Sequence, residues 1–262
     1  MPYAEINGVN LYYEVHGEGD PILLLHHGFG CAKIWKEIYP SLVERGFRVV
    51  MYDRRGFGLS EKGEDFLEFY VSDRFRPDTV RDLARLREVL GLDTFHIIGQ
   101  CEGGVVAVDF AVAFPEAVRS IVISSTQCYS SVNMVELNHE KFPWSFQELD
   151  ASLRDKLLDW HSEEYAESFY EQFRNFGGAY GKDFFDLRPE LKEIACPFFV
   201  LYPDRSWIFD VEQAVAFYRT VSRAELAVLP KCGHNTYEHR PVEYVRNVLD
   251  FYERNAFLPP AG

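Results

Sequence analysis

Apolar residues recur along this chain in two distinct periods. Residues 21–28 (PILLLHHG), 47–52 (FRVVMY), 95–99 (FHIIG), 118–124 (VRSIVIS), 197–202 (PFFVLY) and 224–229 (AELAVL) are short, nearly unbroken apolar runs. Such runs are what strands buried on both faces look like. Between them the period becomes helical. Residues 78–90 (DTVRDLARLREVL) place Val80, Leu83, Leu86, Val89 and Leu90 at i, i+3, i+4 spacing, with charges opposite. Residues 103–114 are small and apolar on nearly all sides, as a central buried helix would be, and residues 211–221 and 241–254 predict helices after later strands. Residues 4–15 read as two short strands around Asn7-Gly8, a hairpin dipeptide. Strand and helix alternate, which predicts an α/β fold: a mostly parallel sheet with helices on both faces.

One stretch breaks the alternation. Residues 127–191 carry helical fragments but no buried strand. A structureless loop of that length inside a compact domain is improbable, so an inserted helical cap is expected, with residues 1–126 and 192–262 as the core. The cap is rich in aromatics, among them Phe142, Trp144, Trp160, Tyr170, Phe173, Tyr180 and Phe184. Most are expected to glue cap to core, and a minority to line an apolar pocket. The tail 258–262 (LPPAG) is expected to fray.

Composition narrows the classes. The chain has 262 residues, 47% hydrophobic and 26% charged, with a net charge of −14. That is enough apolar material for a core without staples. The acidity disfavours nucleic acid and anionic membranes as partners. The five cysteines are scattered, with no CxxC pair; this argues against a disulfide framework and a zinc site and fits a cytoplasmic location. No leader-like apolar segment and no spanning run is present in the sequence. No nucleotide fingerprint or metal-ligand spacing occurs, so no cofactor and no metal are expected. The expected partner is a small-molecule substrate; monomer and homodimer both stay open.

The candidate chemistry lies at strand ends. Gly99-Gln100-Cys101-Glu102-Gly103-Gly104 follows a buried strand and opens a buried helix, the context of a nucleophile elbow. A sharp turn there presents Cys101, and the helix N-terminus favours its thiolate. His26-His27-Gly28-Phe29-Gly30 ends an earlier strand; the backbone N–H of Phe29, with that of Glu102, is expected to form an oxyanion hole. His26 and His27 themselves are read as hydrogen-bonded turn residues. His234, on the loop after the last strand, is the general-base candidate. His16, His96, His139, His161 and His239 are assigned surface or structural roles. Asp53 and Arg54 are read as fixing the 53–60 loop, and Arg55 as solvated.

HHGFG at 26–30, DRRGFGLS at 53–60, GQCEGG at 99–104, CPFFVLYPD at 196–204 and CGH at 232–234 occur in the order found in the α/β-hydrolase superfamily, and the chain resembles its esterase, lipase and C–C hydrolase members over nearly all of its length outside the cap. The resemblance implies that fold and a nucleophile–His–acid triad. Two positions depart from it. Cys101 stands where the family has Ser, and the GxCxGG elbow is similar to that of dienelactone hydrolases and polyhydroxyalkanoate synthases. The family's acid, in a G-x-x-D pattern, falls at Ser206, with Pro203 at the glycine. Asp204 and Asp210 are near enough to substitute; each reads more simply as a loop charge and a helix N-cap. A thiol ionises near pKa ~8.5, so a Cys101–His234 dyad needs a buried carboxylate less than a serine does, and Ser206 could still orient the imidazole. The Glu102 carboxylate would oppose the thiolate unless it points away.

The leading expectation is therefore a hydrolase or acyltransferase acting on an apolar or aromatic ester, lactone or thioester through an acyl-cysteine. A lyase, cyclase or C–C bond-cleaving enzyme on the same fold comes second. A non-catalytic small-molecule-binding protein comes third, opposed by the intact oxyanion turn and by His234.

Overall fold

The apolar runs and the N-terminal hairpin all become strands of one sheet: β1 (Tyr3–Ile6), β2 (Val9–His16), β3 (Asp20–Leu25), β4 (Phe47–Tyr52), β5 (Phe95–Gln100), β6 (Val118–Ser124), β7 (Phe198–Pro203) and β8 (Ala224–Leu229). The computed structural model describes residues 2–177 and 184–258; Tyr180 and most of the 258–262 tail lie outside them. The strand order is β1-β2-β4-β3-β5-β6-β7-β8. From β4 to β8 every pairing is parallel, whereas β2 runs antiparallel to β4 and to β1. The hairpin turns at Asn7 and Gly8, both at positive φ, the conformation such turns require.

Side-chain alternation within each strand divides the core in two. Leu23 and Leu25, Ile97, Ile121 and Ile123, and Phe198 and Val200 pack on one face; Ile22 and Leu24, Ile98, Val122, and Phe199 and Leu201 pack on the other. Both faces are covered, which is why the strands read as unbroken apolar runs. The helices α1 (Tyr39–Glu44), α2 (Phe66–Tyr70), α3 (Phe75–Val89) and α4 (Glu102–Ala113) fall in the first half of the chain. Val80, Leu83 and Leu86 of α3 and Val105 and Phe110 of α4 cover the first face, while Leu42 of α1 joins the second cluster. The periodic helices thus form where the pattern places them. The short α1 and α2 were not legible, because neither is long enough to repeat an apolar face.

Between β6 and β7 come α5 (Met134–Lys141), α6 (Ala151–His161), α7 (Ala166–Phe176) and α8 (Arg188–Leu191). Among the described residues of 127–191 only an isolated bridge, Tyr129 to Asp186, is extended and paired. Most aromatics here join the second core cluster, including Phe146, Phe169 and Tyr170; Trp144 and Phe184 remain exposed. The chain ends with α9 (Glu212–Thr220), α10 (Thr236–His239) and α11 (Pro241–Arg254). Phe217 of α9 packs on the first face, and Val248 and Phe251 of α11 on the second.

The connectivity also fixes where a site can lie. From β3 the chain steps to β4 on one side, and β5 lies on the other. That reversal opens a crevice beyond the carboxyl ends of β3 and β5, the usual ligand position in open parallel sheets. Leu25 and Gly99, near the ends of these strands, are register partners, so the residues just after them share one rim.

Candidate active site

Cys101 directly follows β5, at φ 52° and ψ −116°. A side chain at positive φ carries strain of about 1–3 kcal/mol, and the surroundings hold it there. Its N–H donates to Ser124 O at 2.8 Å, and its carbonyl accepts from Gly104 N at 2.9 Å. The glycines around it are required by space: a Cβ would lie 2.5 Å from Gly103 O at Gly99, 2.2 Å from Leu25 O at Gly103, and 2.0 Å from Thr126 Oγ1 at Gly104. Gly99 and Gly103 thus pack against backbone, and Gly104 against the Thr126 side chain.

Under the elbow, the Glu102 side chain is buried in an ion pair with Arg54. The same guanidinium donates to the carbonyls of His26 and His27 at 3.4 and 3.3 Å. The charge feared at the thiol is therefore compensated by a cation that also ties the elbow to the turn after β3. Asp53 works beside it, accepting from Ala32 N at 2.6 Å and Leu59 N at 2.8 Å. Arg55 is not solvated: its guanidinium pairs with the buried Asp82.

The turn after β3 is built on histidines. His26 Nε2 accepts from Arg54 N at 3.1 Å and its Nδ1–H donates to His27 O at 2.8 Å. His27 Nδ1 accepts from the Phe29 N–H at 3.1 Å, which leaves Nε2–H to donate to the Tyr237 hydroxyl at 3.0 Å. Burial drives both imidazoles far below their ordinary pKa and keeps them neutral. The Phe29 amide, expected as a free oxyanion donor, already has an acceptor in His27. To reach a second acceptor in the cavity it would have to share its proton or release His27. From the cap, His161 Nε2–H donates to Phe29 O at 2.6 Å while its Nδ1 accepts from Gly58 N at 3.0 Å.

His234 follows β8, and its backbone is clamped from the ends of β5 and β6. Gln100 Nε2 and Ser125 Oγ donate to His234 O at 2.9 and 2.5 Å, and Gln100 Oε1 accepts from Thr236 Oγ1 at 3.0 Å. Sequence reasoning missed this clamp. The signal was a glutamine closing an otherwise apolar strand, since a buried amide needs partners. On the ring, Ser206 Oγ lies 3.0 Å from Nδ1. Asp204 does not reach it; its Oδ1 accepts from Cys232 N at 3.0 Å. Asp210 accepts from Glu212 N at 2.9 Å, at the start of α9. Burial lowers the pKa of His234 to about 3, and no carboxylate beside Nδ1 offsets it.

Cys101, Glu102, Phe29 and His234 line one cavity of about 240 Å³, together with Phe142, Trp160 and Phe173 of the cap and Trp207, Ile208 and Phe209 of the loop after β7. Its exposed lining is chiefly apolar, with aromatic side chains prominent, and Asp150 and Lys156 add charge to it. Among the described residues no cluster of His, Cys, Asp and Glu is arranged to hold a metal.

A family model described as the alpha/beta hydrolase fold matches residues 20–156, about half of the chain. The chain belongs to that family. Among sequences similar to this α/β hydrolase is a proline iminopeptidase of Clostridium botulinum, 32% identical over 197 residues, which are 70% of this chain and 62% of that protein. A proline iminopeptidase of Clostridioides difficile is 33% identical over 183 residues, 65% of this chain and 60% of that protein. The chain thus spans less than two thirds of the length of these relatives. Among solved structures, the enol-lactonase from Burkholderia xenovorans LB400 superposes with a TM-score of 0.75 at 20% identity, covering 96% of this chain and 100% of that one. At that identity the likeness concerns the fold. In this α/β hydrolase Cys101, Phe29, Glu102 and His234 line one cavity, and Ser206, not Asp204, lies beside the ring of His234.

Proposed function

We propose that this protein is a hydrolase of apolar or aromatic acyl compounds with activated leaving groups, working through an acyl-Cys101 intermediate. The observation that carries this reading is the strained elbow that presents Cys101 in the same cavity as His234. Strain held by close backbone packing is characteristic of a functional position. In acylation, the thiolate sulfur bonds to the acyl carbon and the leaving group departs with the bonding pair. Water or hydroxide then attacks the thioester carbon, the acid is released, and the thiolate re-forms. The N–H of Glu102 at the start of α4 would hold the oxyanion, with Phe29 N–H as second donor once shared with or released by His27.

The aromatic walls support an apolar acyl part, and the small cavity supports a small molecule. The name of the two relatives denotes a peptidase. Amide cleavage requires protonation of an amine, for which a carboxylate-backed histidine is the usual device, and Ser206 at Nδ1 favours better leaving groups here. The free cysteines support a reducing compartment, the cytoplasm, and no described helix is long and apolar enough to cross a membrane.

The test is intact-protein mass spectrometry after mixing with p-nitrophenyl esters and aryl thioesters. An acyl adduct on wild type that is absent from Cys101→Ala is the expected result. Turnover that survives Cys101→Ala with no adduct would remove the acyl-cysteine reading and bring C–C or lyase chemistry forward. Tight binding without turnover would leave a ligand-binding protein.

A further inference from the structure

The hydrogen bonds around Ser206 determine which nitrogen of His234 carries the proton. Ser206 Oγ accepts from the backbone N–H groups of Phe209 at 3.1 Å and Ile208 at 3.3 Å. A hydroxyl oxygen has two lone pairs and one proton, and a backbone amide can only donate. Both lone pairs are thus engaged, and the remaining contact, to His234 Nδ1 at 3.0 Å, falls to the hydroxyl proton. We propose that Ser206 donates to Nδ1, so that neutral His234 rests with its proton on Nε2 and meets Cys101 as a hydrogen-bond donor to the thiolate, not as the base that deprotonates the thiol. A carboxylate in the place of Ser206 would hold the opposite tautomer, because it can only accept. The neighbouring imidazoles obey the same rule: the amides of Arg54, Phe29 and Gly58 fix the tautomers of His26, His27 and His161. Deep burial keeps His234 neutral, so that a tautomer is what the ring has to choose.

This inference rests on the acyl-Cys101 reading and refines its substrate class. The thiol proton leaves to hydroxide or buffer base, and Nε2–H hydrogen-bonds the resulting thiolate. Sγ then forms its bond to the acyl carbon as the bond to the leaving group breaks. His234 cannot hand its only proton to that group without becoming an imidazolate. Substrates are thereby restricted to leaving groups stable as anions: thiolates, phenolates and enolates, and not alkoxides or amines. Deacylation likewise lacks a base to activate water, so hydroxide does the work and acyl-enzyme accumulates at neutral pH. Ser206 is a positioning residue in this scheme, acting through His234.

The experiment is a long-range 1H–15N correlation spectrum of 15N-histidine-labelled protein at neutral pH, with His234 assigned by comparison with His234→Gln. A protonated, pyrrole-type shift at Nε2 and a pyridine-type shift at Nδ1 are expected in the wild type. Ser206→Asp should exchange the two, and Ser206→Ala should give averaged shifts from mixed tautomers. A pyrrole-type Nδ1 in the wild type overturns the inference even if neither variant folds. In stopped-flow with an aryl ester, the wild type should show a burst near one equivalent and a slow steady state. Ser206→Asp should raise the steady-state rate at least about tenfold and shrink the burst. Absence of any acyl adduct alongside an Nε2–H tautomer would fell the proposed function and leave the tautomer assignment standing. An adduct alongside an Nδ1–H tautomer would do the reverse.

Discussion

The two halves of the site are built differently. The elbow half, β5 through α4, is held by backbone: a positive φ at Cys101, three glycines with no room for a Cβ, and main-chain bonds to β6. The histidine half, the loops after β7 and β8, is held by side chains: Gln100, Ser125 and Thr236 on the backbone of His234, and Ser206 on its ring. Backbone-held geometry tolerates almost no substitution, whereas a side-chain contact can change chemical character while keeping its shape. The elbow presents a thiol where the family resemblance implies a hydroxyl. On the other half, the imidazole meets the Ser206 hydroxyl where that resemblance implies a carboxylate acceptor.

Mutations can break that contrast at graded cost. Cys101→Ala should lower kcat/KM for activated esters by about 10³-fold or more while leaving the fold intact, as steady-state kinetics with a circular dichroism control will show. Arg54→Ala removes the cation paired with the buried Glu102 carboxylate, and chemical denaturation should register a loss of about 3–5 kcal/mol. Replacing Gln100 by Ala removes one of the two donors to the His234 carbonyl and the acceptor of the buried Thr236 hydroxyl. About 1–3 kcal/mol of stability should go, with kcat falling more than KM rises.

Acid should also act through the buried histidines. The folded-state pKa of His234 is lowered to about 3 and that of His161 to about 4, against an ordinary 6.5. The unfolded chain therefore takes up protons first, so this contribution to stability is complete above about pH 6.5 and is lost as pH falls toward 3. Asp53, raised to about 6 by burial, pulls the other way between its two pKa values. Asp82 and Asp109 are raised by burial as well, but five buried histidines, His26, His27, His96, His161 and His234, are lowered, so the thermal midpoint should be lower at pH 5 than at pH 7. His234→Gln should flatten that slope in differential scanning fluorimetry. The smallest effect is expected for Asp204→Asn: it keeps an acceptor for Cys232 N and does not touch His234, so kcat should stay within about twofold. A large loss there would restore Asp204 as the third member and erase the contrast.

What the sequence revealed follows the same division. Strands buried on both faces, the central helix and the elbow announce themselves because local patterns and glycines are enough to specify them. Arg54, Glu102 and Gln100 are polar residues in buried places, and such residues must be paired, but their partners lie 48 and 134 positions away and no local pattern names them. The Phe29 amide shows the limit from another side. The turn was legible, while the ring nitrogen that takes its proton depends on a χ angle of His27. Short helices such as α2 left no trace because they repeat no apolar face.

Phe29 has a further consequence. The peptide unit on its N-terminal side is pinned by His27 of the core, and the one on its C-terminal side by His161 of the cap. Two parts of the molecule thus meet in the backbone of a single residue. The insertion is consequently no interchangeable module. A cap grafted from a relative without an equivalent of His161 would leave the second of those peptide planes held only by the Gly30 N–H on His27 O, and would import that looseness into the chemistry along with its new walls.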